Sequence, residues 1–219
     1  MKNVMTKRFA MNTIAAVFLT SSLTACIPLM VGGAVVGGTL VANDRRTSGA
    51  QLEDEGVELR GTSRIRSNVG DRVHVNLSSY NRQVLLTGEV PTTQDKLLVE
   101  QIISRVENVS SVVNELGVMG SSSLTQRSSD LLTTGRVKAM LVDAKDLFAN
   151  SFRVVTERGT TYLMGRVTQR EADRGTAVAR STPGVQKVVR IFEIISEEEL
   201  AQQLPTPAKP PAAKPAASN

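Results

Sequence analysis

Leu85-Leu86-Thr87-Gly88-Glu89-Val90 returns 77 residues later as Tyr162-Leu163-Met164-Gly165-Arg166-Val167. A second echo follows each copy. Asn108-Val109-Ser110-Ser111-Val112-Val113 matches Gly184-Val185-Gln186-Lys187-Val188-Val189 at an offset of 76. Self-similarity at a fixed period marks a duplicated unit, and this period leaves room for two small domains in a chain of 219 residues.

Outward from the repeated core, both copies carry the same order of signals. A helical stretch comes first. Alternating strands follow: Val73, Val75 and Leu77, then Val84 and Leu86, in the first copy; Phe152 and Val154, then Tyr162 and Leu163, in the second. Turns fall at Tyr80-Asn81 and at Arg158-Gly159. The helix after Pro91 places Leu98, Ile102, Ile103 and Val106 at helical spacing, and its counterpart runs from near Gln169 to Pro183-Gly184. Strands at 112–118 and 185–195 close the copies. The fold class is α+β, with helix-strand-strand-helix-strand occurring twice.

This order, with a glycine near the end of the second strand, resembles the BON domain of envelope proteins. The run from Phe152 to Ala172 (FRVVTERGTTYLMGRVTQREA) and the run Thr182-Pro183-Gly184-Val185-Gln186-Lys187-Val188-Val189 are close to that family's pattern. The resemblance covers 44–195. It implies two tandem BON domains, 44–119 and 120–196, each with helices on one face of a small mixed sheet.

The first 25 residues read as a secretory leader: Lys2, Lys7 and Arg8, then a mostly apolar stretch at 11–19, with no acidic residue before Cys26. Leu23-Thr24-Ala25-Cys26 resembles the bacterial lipobox, which implies lipidation (diacylglycerol and a fatty acyl chain such as palmitate) at Cys26. A plain secretory signal and an uncleaved apolar anchor are the alternatives. A single acyl chain binds marginally, at ~0.8 kcal/mol per buried CH₂, whereas two or three hold stably. Ile27, where an aspartate would signal inner-membrane retention, fits sorting to the outer membrane, with the protein facing the periplasm. The segment 26–43 reads as a glycine-rich collar. The sixteen mostly apolar, glycine-rich residues 27–42 fall short of the ~20 needed to span a bilayer; a short membrane-inserted segment is the other reading. The Pro/Ala-rich segment 197–219 has no periodic apolar residues and is expected to lack fixed structure. It reads as a solvated tail or as a reach toward peptidoglycan.

The whole layout is similar to the division- and outer-membrane-linked lipoproteins of Gram-negative bacteria, a dual-BON family related to the osmotically inducible periplasmic BON protein. That resemblance implies binding of anionic phospholipid through BON domain 2, gathering at the division site and support of envelope integrity.

Composition narrows the function. Without the three basic residues of the leader, the charge is 23 − 21 = +2. The only cysteine is Cys26, so its lipidation leaves no thiol for a disulfide, nucleophile or metal site. With no tryptophan and only Tyr80 and Tyr162 as tyrosines, the stacking aromatics of single-strand nucleic-acid binders are missing. No acid–base or nucleophile set points to catalysis, and no cofactor is implied. His74 alternates with Val73 and Val75, which places it on the opposite strand face, toward water, as a poor metal candidate. Gly88 and Gly165 read as strand-end or close-packing glycines. Glu53, Asp54, Glu55 and Glu58 read as a solvated helix start.

The two copies differ in charge: 9 basic and 11 acidic residues in 44–118, against 12 and 7 in 119–195. They also differ in their first helix. Over 130–145, Val137, Met140, Leu141 and Ala144 share one side, read as the core. Leu131, Leu132, Gly135, Ala139 and Val142 share the opposite side, flanked by Arg136 and Lys138. The corresponding positions in copy one, Glu55, Gly56, Leu59, Ser63 and Arg66, are mostly polar. A second apolar face must meet a membrane, the other domain or a protein partner. The family's lipid contacts lie on this helix, and the resemblance therefore implies phospholipid binding by Leu131, Leu132, Gly135, Arg136, Lys138, Ala139 and Val142. Leu132 stands where the family carries an aromatic residue. The alternative function is a scaffold that binds an outer-membrane assembly or division protein through the same helix.

Overall fold

The computed structural model describes residues 44–203. The leader, Cys26, the collar and the tail from residue 204 lie outside the described residues. Helix α1 (Ser48–Val69) leads into the antiparallel hairpin of β1 (His74–Tyr80) and β2 (Gln83–Val90). Helix α2 (Thr93–Ser104) then carries the chain to β3 (Ser111–Asn114) and β4 (Gly117–Val118), both parallel to β2. The second unit repeats this with α3 (Leu124–Asp143), the β5 (Phe152–Glu157) and β6 (Thr160–Thr168) hairpin, α4 (Gln169–Ser181) and β7 (Lys187–Ile195), parallel to β6. Both copies are therefore the mixed-sheet α+β unit that the repeat predicts.

In each unit the two helices cover one face of the sheet. Val57 and Ile65 of α1, Val99 and Ile103 of α2, and Val84, Leu86 and Val90 of β2 form the first core. Val137 and Leu141 of α3, Ala172 and Ala179 of α4, and Leu163 and Val167 of β6 form the second. Gly88 and Gly165 lie inside their strands, where close packing explains both. A Cβ on Gly88 would stand 2.1 Å from the His74 carbonyl oxygen, and one on Gly165 would stand 2.3 Å from that of Ser151.

The helix-free faces of the two sheets are joined through a third core of Tyr80, Leu85, Tyr162, Met164 and Ile191. Polar ties surround it. Asn76 donates to Glu157 (2.9 Å), Asn81 to Glu193 (2.6 Å), and Arg153 pairs with Glu58 (2.7 Å). The central strands are thus buried on both faces. This corrects two expectations: His74 faces the second unit instead of water, and Glu58 is tied across the junction instead of being solvated.

A second correction concerns Asp54, also expected in solvent. It is buried beneath the first hairpin turn. Its carboxylate accepts from the backbone N–H groups of Asn81 (2.7 Å) and Arg82 (2.8 Å), from Ser79 Oγ (2.6 Å) and from Arg46 Nη1 (2.6 Å). Asn81 and Arg82 both take positive φ, 49° and 68°. The turn is therefore Asn81-Arg82, one residue beyond the expected position. Asp130 repeats the device, accepting from Arg158 N and Gly159 N, each at 2.9 Å.

Three boundaries also differ. The first closing strand is interrupted because Asn114 Oδ1 accepts from Leu116 N, which turns Leu116 into the core. Helix α3 begins at Leu124, six residues before the expected 130. Residues Glu197–Gln203, expected in the tail, form helix α5; Leu200 is buried and Glu199 pairs with Arg166.

Replacing Asp54 with Asn removes the charge beside Arg46 and puts a donor opposite two N–H groups. Urea unfolding should show a loss of ~3 kcal/mol. Burial alone would raise the Asp54 pKa, but hydrogen bonds from Ser79, the Arg82 N–H, Arg46 and the Asn81 N–H outweigh it and hold it below the usual carboxylate range. Its folded pKa is thus below its unfolded one. Its contribution is complete above the unfolded value of ~3.9 and fades as pH falls through the folded value. Acid titration of stability should contain this share in the native protein and lack it in Asp54→Asn.

Candidate membrane-contact face

Helix α3 starts where a side chain stops an N–H from going unpaired: Ser123 Oγ accepts from Gln126 N at 3.2 Å. Ser123-Leu124-Thr125-Gln126 has the S-x-x-Q form of a capping box, a signal from which the true helix start was readable. Asp130, Thr133, Val137 and Leu141 form its buried stripe. Asp130 fixes the rotation of the helix by holding the hairpin turn beneath it.

On the opposite side, Leu131, Leu132 and Val142 are 72%, 61% and 68% exposed. Gly135, Arg136, Lys138 and Ala139 are exposed as well. A Cβ built on Gly135 meets nothing within 4 Å, so the backbone is open to approach there. Arg136 and Lys138 make no ion pair with any described residue, which leaves both charges available. The structure thus brings together all seven α3 residues singled out in the sequence; Cys26 lies outside the described residues.

Two details differ from the sequence reading. Met140, placed on the core side, is 40% exposed at the edge of the stripe. Leu124, absent from that reading, is 80% exposed and lies seven residues before Leu131, two turns back on the same side. The outer face therefore carries exposed apolar residues at Leu124 and again from Leu131 to Val142, with the exposed Ser128 between them. In α1 the matching face exposes Leu52 and Leu59 among Glu55, Ser63 and Arg66.

Because the units dock through their sheets, the outer face of α3 stays exposed, with Leu131 at its edge also lining a cavity shared with His74 and Asn76 of the first unit. Among the described residues no helix is long and apolar enough to cross a membrane. The approach to the first unit also passes close to this helix. Arg45 leaves its neighbour Arg46 on Asp54 and grips Glu171 of α4 with two hydrogen bonds (2.6 and 2.8 Å), donating also to the Arg166 carbonyl. Asp44 shares a shallow cavity with Lys138 of α3. Burial would raise the Glu171 pKa, but Arg45 and the Thr168 N–H hold it below the usual range.

A family model described as BON domain matches residues 54–120 and again 129–195. The chain belongs to the BON-domain family. Over 179 residues it is 35% identical to the outer membrane lipoprotein DolP of Haemophilus influenzae, covering 80% of this chain and 92% of that one. It is 28% identical over 154 residues to a 21 kDa hemolysin of Actinobacillus pleuropneumoniae, covering 69% and 79%. Among solved structures, the C-terminal domain of CdsD, a structural protein of the type III secretion system of Chlamydia trachomatis, gives a TM-score of 0.28 at 14% identity, over 61% of this chain and 96% of that one. The DolP likeness groups this two-BON chain with outer-membrane lipoproteins.

Surface substitutions on the outer stripe should leave folding intact. Leu132→Glu is expected to change unfolding free energy by no more than ~0.5 kcal/mol. Val137→Glu, one turn away in the core, should unfold the second BON domain. Circular dichroism during urea titration distinguishes the two.

Proposed function

We propose that the protein is a non-catalytic outer-membrane lipoprotein that binds anionic phospholipid through BON domain 2 and supports outer-membrane integrity, with the division site as its place of action. Cys26 carries the lipid anchor on the periplasmic side. The observation that supports this most is the apolar outer stripe of α3, which domain docking leaves exposed and which is flanked by two cations without an ion pair among the described residues. Leu131, Leu132, Ala139 and Val142 act as shallow inserts, Arg136 and Lys138 sit at phosphate level, and Gly135 lets the backbone come close. BON domain 1 is a structural or partner-binding module.

Magnitudes set the balance. Full burial of a leucine or valine stabilises by ~1.5–3 kcal/mol, whereas each cation near an anionic surface adds ~1 kcal/mol. The apolar inserts therefore hold the helix, and the cations select the lipid. Salt should weaken binding without removing it, since screening acts on the cationic share alone.

Residues 44–203, produced without the lipid, are to be sedimented with vesicles of anionic or of neutral phospholipid. The expected result is pelleting with anionic vesicles, reduced by salt and lost in Leu132→Glu. Equal pelleting with neutral vesicles, or none with either, overturns lipid recognition by α3. With no pelleting and a retained effect of Leu132→Glu on envelope integrity in cells, the stripe becomes the interface for an assembly or division protein.

A further inference from the structure

His74 and Glu89 are direct cross-strand partners on the docking face of the first sheet. Glu157 ends β5 of the second sheet, against the same junction. His74 Nδ1 lies 2.9 Å from Glu89 Oε2. One nitrogen and two carboxylate oxygens from these three residues all lie within 4.8 Å of one another. Glu89 and Glu157 are buried, while the imidazole keeps a partly exposed edge. That edge opens on a cavity of about 330 Å³ that His74, Asn76, Asp130 and Glu157 share with Leu131.

Charge in this cluster is unevenly matched. Glu89 is supplied with donors: Arg158 Nη1 on Oε1 at 2.8 Å, and Ser122 N and Oγ on Oε2 at 3.2 and 3.3 Å, besides His74. Glu157 receives Asn76 Nδ2 at 2.9 Å, and no cationic side chain among the described residues comes within ion-pair distance of it. Arg158 is engaged with Glu89 and the Gly88 carbonyl, and Arg127 with Ser122 Oγ. A carboxylate buried without a cation is costly unless it gains one.

We infer that His74, Glu89 and Glu157 form an inter-domain site for a divalent transition-metal ion of the zinc class. An imidazole with two carboxylates is a borderline donor set that suits zinc over magnesium or calcium, which take oxygen ligands. The ion replaces the His74–Glu89 hydrogen bond. Nδ1 then offers its lone pair, the ring proton resides on Nε2, and a water from the cavity completes four-coordination. Arg158 stays on Glu89 Oε1 and orients that carboxylate. Two ligands come from the first BON domain and one from the second, so the ion fastens the docked pair.

The test uses the full lipidated chain purified in detergent and stripped with a chelator. Zinc and magnesium are titrated separately against a competing indicator, and unfolding is followed at each concentration. One zinc per chain, a raised unfolding midpoint with zinc alone, and an affinity at least ~10-fold weaker in both His74→Ala and Glu157→Gln are expected. Cobalt(II) gives a readout independent of variant folding: visible bands of a four- or five-coordinate nitrogen/oxygen site, without thiolate charge transfer. No zinc uptake, equal uptake by both variants when each retains its native far-ultraviolet spectrum, or a cobalt thiolate band would overturn the site.

Discussion

A buried aspartate on the first helix of each unit holds the tip of the following hairpin. Asp54 and Asp130 do this with the same geometry, each accepting the two N–H groups of a tight turn. Such a turn leaves both donors pointing out of the ladder, and a buried donor without a partner is expensive. The carboxylate meets both needs at once and locks the rotation of the helix relative to the sheet. Helix rotation then decides which residues enter the core and which are presented outward. In the second unit the lock brings Val137 and Leu141 inward, and Leu131 and Val142 outward.

Docking of the two sheets completes the division of surfaces. A BON unit alone has a helix-covered face and a bare one. Joining the bare faces through Tyr80, Leu85, Tyr162, Met164 and Ile191 leaves the helices on the outside of the pair. The pair is asymmetric in what its outer helices show. Helix α1 presents two leucines among charges and hydroxyls, whereas α3 presents an apolar stripe with a cation on either flank. The two copies share one fold and differ at a few outer positions of their first helix.

The repeat at 76–77 residues and the alternation of apolar residues were enough to read both α+β units and their element order. The α3 stripe was legible for the same reason, because helical periodicity separates two faces without knowledge of the neighbours. What escaped was non-local. Asp54 looks like its neighbours Glu53 and Glu55, yet only it lies beneath a turn 27 residues later in the chain. The repeat offset itself carried the missing signal, since 54 and 130 are both aspartate. Leu85-Leu86 and Tyr162-Leu163-Met164 are continuous apolar runs, and strands that read so are buried on both faces. That pattern is the signal for sheet docking and, with it, for a His74 that faces the second unit with only part of its ring exposed. The length of α3 was encoded in Ser123 and Gln126, polar residues that an apolar-pattern reading passes over.

The paired arginines ahead of α1 have a mechanical consequence. Arg46 is fastened to Asp54 in the first domain and Arg45 to Glu171 in the second. Glu171 is also the capping-box residue of α4, so Arg45 is anchored on a closed helix start. A pull exerted on the chain ahead of Asp44 would be divided at once between both domains. It would load them in parallel, as shear on two charge-assisted contacts, instead of peeling α1 away from its sheet one turn at a time.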